Sequence, residues 1–173
     1  MRARALAVLA LVAASSPATY GQSRDHDAGF DADRTRWKEI EASLPLYPRP
    51  ENLIQFEAGA ASRHRFFIDA ASLTVGEDGV VRYTLVVKAA GGASNVSFEG
   101  IRCETREQKY YALGRVDGTW ARVREPQWRR IENREVNRQH HALHADFFCP
   151  GTLSAAAPKQ AIDALRRASA GLR

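Results

Sequence analysis

The chain has 173 residues, 45% hydrophobic and 26% charged, with a formal net charge of +5. This length supports one domain with a proper core. The charge excess is mild, and part of it comes from Arg2 and Arg4 at the extreme N-terminus, so it makes no case for nucleic acid as a partner.

Arg2 and Arg4 precede an apolar run from Ala5 to Ala14, which gives way to the small-residue stretch Ser15, Ser16, Pro17, Ala18. The layout predicts a secretory signal peptide over residues 1–21, with cleavage after Ala18 or after Gly21 fitting equally well. The run is far shorter than the roughly 20 residues that cross a bilayer, so no transmembrane segment is expected in the mature chain. Export in turn governs the two cysteines. Disulfides persist outside the cytoplasm, and an even count favours pairing, so Cys103 and Cys149 are expected to form a structural bridge. A redox role would suit a Cys-x-x-Cys motif, which is absent.

Residues 22–36 mix Asp25, Asp27, Asp31 and Asp33 with Arg24, Arg34 and Arg36 and read as a flexible lead-in. A single domain is expected over 37–173. Trp37–Leu44 has the composition of a short helix, stopped by Pro45. Pro45, Pro48 and Pro50 then forbid regular helix and predict an extended crossing of the surface. His64–Asp69, continuing towards Val75, is strand-like. Asp78-Gly79 turns the chain into Val80–Lys88, where Val81, Tyr83, Leu85 and Val87 alternate with Arg82, Thr84 and Lys88 as in a half-buried strand. Ser94–Glu104 is the next strand, and its change of pattern predicts a bulge at Gly100. Gln108–Val116 follows, and Asp117-Gly118 leads into Thr119–Val123. Short connections imply an antiparallel meander of about five strands. Val136, His140, Leu143 and Phe147 then share a helix face, and a last helix near Pro158 is expected to bury Ile162, Leu165 and Leu172. The expected fold is α+β, with helices packed on one face of the meander.

Several segments together carry a family resemblance. Asp78–Val86 runs into Gly92–Cys103, and Gly118-Thr119-Trp120, Trp128–Ile131 and Phe147–Pro150 follow. The set resembles the cryptic neisserial protein family, small exported proteobacterial proteins of unassigned activity. The resemblance implies a periplasmic location and brings no catalytic residues with it.

Chemistry-bearing patterns are sparse. His140 and His144 are spaced to share a helix face, as two zinc ligands must be, but a third ligand would have to come from Asp146 or elsewhere. A hydrogen-bonded core role for His140 is the plainer reading. No Gly-x-Ser-x-Gly elbow is present. Asp69 and Glu99 lie on strands, where solvent-facing charge is the default. Arg122, Arg124, Arg129, Arg130, Arg134 and Arg138, interleaved with Trp120 and Trp128, form a basic and aromatic stretch. Within it Arg122, Arg124, Trp128, Arg129 and Arg130 are the candidate surface for an anion or a partner, although Glu125, Glu132 and Glu135 dilute its charge. No cofactor and no catalytic residue is assigned. Two readings follow. One is a non-catalytic envelope module that binds a protein, a glycan or an anionic lipid. The alternative is a hydrolase or metal-dependent enzyme whose site is assembled only in the fold.

Overall fold

The computed structural model describes residues 37–59, 62–134, 137–151 and 153–172. The expected signal peptide, the lead-in over 22–36 and Val136 of the expected helix stripe lie outside them.

Among the described residues seven strands form one antiparallel sheet. They are β1 (Leu53–Phe56), β2 (Arg65–Val75), β3 (Val80–Lys88), β4 (Ser94–Arg102), β5 (Glu107–Gly114), β6 (Trp120–Arg122) and β7 (Arg129–Arg130). Their order is sequential from β1 to β6, and β7 pairs with β5. The meander follows from its turns: Gly79, Gly92 and Gly118 all adopt positive φ, which costs glycine least. α1 (Arg138–Ala142) passes without a break into a π-helical turn, Leu143–Phe148, and α2 (Pro158–Ala170) is the last described element.

The main core lies on the front face. Val81, Tyr83 and Leu85 of β3 and Ile68 of β2 pack there against Leu143, Phe148, Ala161 and Leu165 from the helical segments. Leu165 is fully buried, Ile162 is partly buried, and Leu172 is exposed. Leu143, His144 and Phe148 of the π turn are buried, and Phe147 packs against the edge of the same core.

The opposite face is covered as well. Residues 37–49 form no helix, contrary to the expectation for Trp37–Leu44; they cross the back of the sheet as an extended strap. The reason is tertiary. Ile40 N–H donates to Asp78 Oδ2, Arg82 Nη2 donates to Ile40 C=O, and the indole N–H groups of Trp37 and Trp120 donate to the carbonyls of Asp78 and Pro45. Glu39 takes donors from Lys109, Tyr111 and Trp128. These partners outweigh weak local helix propensity. Beneath the strap Ala42, Phe98, Tyr111 and Ala112 form a second core. β3 is therefore buried on both faces, and Arg82 and Thr84, expected to face solvent, are enclosed.

The bulge sits elsewhere than expected. Pairing of β3 with β4 runs unbroken through Gly100, while the register of β4 with β5 shifts between Phe98 and Glu99, so the extra residue is Tyr111. Gly100 instead makes room for that residue, since a Cβ there would lie 2.7 Å from the Tyr111 hydroxyl. β1 is hidden in the sequence by the prolines that precede it.

Candidate functional site

Strand alternation puts Tyr83, Ser97, Glu99 and Tyr110 on the front face, with Glu99 paired to Tyr83 on one side and to Tyr110 on the other. Glu99 is fully buried. Ser97 Oγ donates to its Oε1 at 2.5 Å, and Tyr83 OH donates to its Oε2 at 3.0 Å. His140, carried by α1, meets the same Oε2 through Nε2 at 2.7 Å. With the carboxylate as acceptor, Nε2 carries the proton of this contact, and Nδ1 is left buried without a partner. Burial, together with the Glu99 charge, pushes the phenols of Tyr83 and Tyr110 up, and Arg129 partly offsets this at Tyr110.

Above this network the front face opens. A cleft of about 370 Å³ is walled by Leu85, Leu113 and other apolar side chains and edged by Asn95, Ser97, Tyr110 and Gln139, with Glu99 at its base. Sequence reasoning missed Glu99 because strand carboxylates usually face water. The available signal was its register: Glu99 shares the inward face with Ile101 and Cys103. Asp69, the other strand carboxylate, is also buried, and burial pushes its carboxyl up. It pairs with Thr84 and so stands on the opposite face from Glu99, which rules out the two acting together as acid and base.

The remaining histidines go separate ways. Arg106 Nη2 donates to His141 Nδ1 at 3.0 Å, and His144 Nε2 lies 3.4 Å from the Cys103 carbonyl. Burial lowers the His144 pKa, helped by the charges of Arg106 and His141, while the Cys103 carbonyl opposes the shift. Asp146 is exposed. Among the described residues no group of three His, Cys, Asp or Glu side chains converges in a way that could hold a metal ion. Cys103 and Cys149 are bonded to each other, with Cα atoms 5.5 Å apart, tying the end of β4 to the end of the π turn.

The arginine and tryptophan stretch is divided by the sheet. Arg129 pairs with Gln108 and faces front, while Arg130 pairs with Glu107 and faces back, as does Arg122 opposite Ala112. Arg124 is exposed beyond β6. Trp128 is half-buried against Trp37, at 5.9 Å between ring centroids, and Lys109 lies over its ring. Trp120 packs on Tyr47 and Phe98. Arg134 pairs with Glu132 in solvent.

The paired strands, the front-face network and the cysteine bridge all fall within one matched region: the CNP1-like family model covers residues 32–166. The chain belongs to the CNP1-like family. No curated protein and no solved structure matches the chain. The CNP1-like family is one of uncharacterised proteins, so the residues themselves must carry any reading of function.

Proposed function

We propose that this CNP1-like protein is a non-catalytic binding module of the cell envelope, exported to the periplasm, with its ligand site in the front cleft over Ser97 and Tyr110. Export is supported by the charged start and short apolar run of the sequence. The Cys103–Cys149 bridge suits an oxidising compartment. No described helix is long and apolar enough to cross a membrane.

One observation carries the binding reading: the titratable groups beneath the cleft are spent on one another. Both Glu99 oxygens accept hydrogen bonds, and Tyr83 and His140 are sealed. A general base needs an atom within reach of the bound molecule, whereas the remaining His140 nitrogen is enclosed. What the cleft offers a ligand is apolar wall with amides and hydroxyls at its edge, the composition of a small-molecule binding site.

The hydrolase reading is favoured by the Glu99–His140 contact, and it requires α1 to lift away and expose His140. Native mass spectrometry of protein released gently from the periplasm separates the two. We expect a non-covalent small-molecule adduct on the wild type that is lost in Leu113→Trp, which fills the cleft. Turnover of chromogenic ester, phosphate or glycoside substrates that disappears in His140→Gln would overturn the binding reading.

A further inference from the structure

We infer that the back face carries a second surface, at the Lys88–Ser94–Val116 end of the sheet, that docks on an anionic lipid bilayer. Lys88 pairs with Ser94, and one row inward Val86 pairs with Val96. Gly114 completes that inner row, and a Cβ on it would lie 2.8 Å from the Tyr47 hydroxyl, so the strap ring closes the row from above. Outside this contact a groove of about 420 Å³ runs between strap and sheet. Its walls are Tyr47, Pro48, Val86 and Val96, its two charged residues are Lys88 and Arg115, and no acidic residue lines it.

Two highly exposed apolar side chains accompany it: Val116 is part of its lining, and Leu46 precedes Tyr47 on the strap. Leu46, on the strap, is 83% exposed, and Val116, at the tip of the β5–β6 hairpin, is fully exposed. Arg49 is exposed on the same strap. Two acids adjoin lining residues in the chain: Glu51, next to Pro50, is exposed, and Asp117, next to Val116, is drawn into its own turn, accepting hydrogen bonds from the backbone N–H and hydroxyl of Thr119.

The combination selects the partner. A soluble anion would need the cations alone, and a soluble apolar ligand held by the groove would leave Leu46 in water. At the surface of an anionic bilayer, phosphates meet Lys88, Arg115 and Arg49 while Val116 and Leu46 enter the acyl boundary. Apolar burial and charge attraction then add. This surface adjoins the front cleft, with which it shares Val96 and Gly114, but its charged and exposed residues, Lys88, Arg115 and Val116, line only the groove, and its test is independent of the cleft.

The test is co-sedimentation of the exported protein, purified from the periplasm, with vesicles of phosphatidylcholine alone or mixed with phosphatidylglycerol. We expect binding only to the anionic vesicles, weakening as salt rises. Lys88→Gln and Arg115→Gln should each reduce it about five-fold, the effect of one surface charge at an anionic leaflet. Val116→Asp should abolish it, and Arg167→Glu on α2 should leave it unchanged. Circular dichroism confirms that each variant is folded. Equal partition onto both vesicle types, or wild-type binding by Val116→Asp, would overturn the inference. So would absence of vesicle binding combined with a dimer in sedimentation velocity that Val116→Asp dissociates, which would assign the surface to a second copy of the chain.

Discussion

Replacing His140 with alanine removes one of the three donors that hold Glu99 and opens a void beside Tyr110, whose ring meets the imidazole edge-on at 5.9 Å. The side chains of His140 and Glu99 are 1% and 0% exposed, so water does not screen their contact. A hydrogen bond to a charged group contributes about 1.5–3 kcal/mol. Stripping one partner from a buried pair costs more, about 3–5 kcal/mol, because the other group stays desolvated. We therefore expect His140→Ala to lose about 3–5 kcal/mol, a large share of the roughly 5–15 kcal/mol that holds a typical domain together. Glu99→Gln keeps the shape: its carbonyl accepts from Tyr83 and His140, and its amide donates to Ser97 Oγ. Its cost should be smaller, about 1–3 kcal/mol. Once residue 99 is neutral, removing His140 no longer strands a buried charge, so the double variant should lose less than the sum of the single losses. The assay is urea unfolding followed by tryptophan fluorescence and far-ultraviolet circular dichroism, with the m value as a check on two-state behaviour. Single losses that add within about 0.5 kcal/mol would show two independent sites and refute the network.

Cys103→Ser combined with Cys149→Ser frees a loop spanning a separation of 46 residues. In the loop-entropy account it should lower stability by about 4 kcal/mol in the same urea assay, and a loss below about 1 kcal/mol would contradict that account. At Asp78, burial pushes the carboxyl up, but hydrogen bonds from Arg82 and the N–H groups of Ile40 and Val80 outweigh it and hold the carboxyl below its ordinary range. A folded value below the unfolded one gives stability that is present above the ordinary carboxylate range and lost as pH falls through the folded value. Asp78→Asn should therefore flatten the acid limb of the stability profile below about pH 4, and an unchanged limb would count against the strap clamp. Gly114→Ala would place a methyl group 2.8 Å from the Tyr47 hydroxyl and 2.7 Å from Val96 Cβ. It should cost about 1–3 kcal/mol by overpacking, read as a lower melting temperature, and an unaltered melt would disprove the close approach.

Much of the front face is legible in the sequence because its signals are local. The alternation of Val81, Tyr83, Leu85 and Val87, the glycine turns at Gly79 and Gly118 and the proline opening α2 each speak for the residues around them. The two cysteines are legible from their even count and the export expected of the chain. The strap is not, because Trp37–Leu44 reads as helix until Asp78, Arg82 and Lys109 supply its partners from far along the chain. The same cover explains why Arg82 and Thr84 look exposed in the sequence. The pattern points to a bulge at Gly100 because glycine is the usual mark of an irregular strand, whereas the extra residue is a tyrosine whose ring the glycine accommodates. Glu99 escapes because one sequence does not say which charged residue has donors waiting on a neighbouring strand and on a distant helix as well as on its own strand. The arginine stretch looks continuous because sequence order hides the alternation that sends Arg129 and Arg130 to opposite faces.

The strap also has a consequence in time. It is the first described segment to leave the ribosome, yet its partners come late: Asp78 lies 41 residues beyond Trp37, Tyr111 lies 72 beyond Glu39 and Trp128 lies 89 beyond it. Until β5, β6 and Trp128 have followed, Glu39 has nothing to bind and the second core has no lid. Closing such spans carries an entropic cost before any contact rewards it, and structures dominated by distant pairings fold slowly. The hairpins from β2 to β5 need no such wait. We therefore expect assembly to run against the order of synthesis, with the β2–β5 hairpins formed first and the N-terminal segment laid across the back of the sheet last. In that interval Phe98, Tyr111 and Ala112 stand uncovered, a brief apolar face on an otherwise finished sheet.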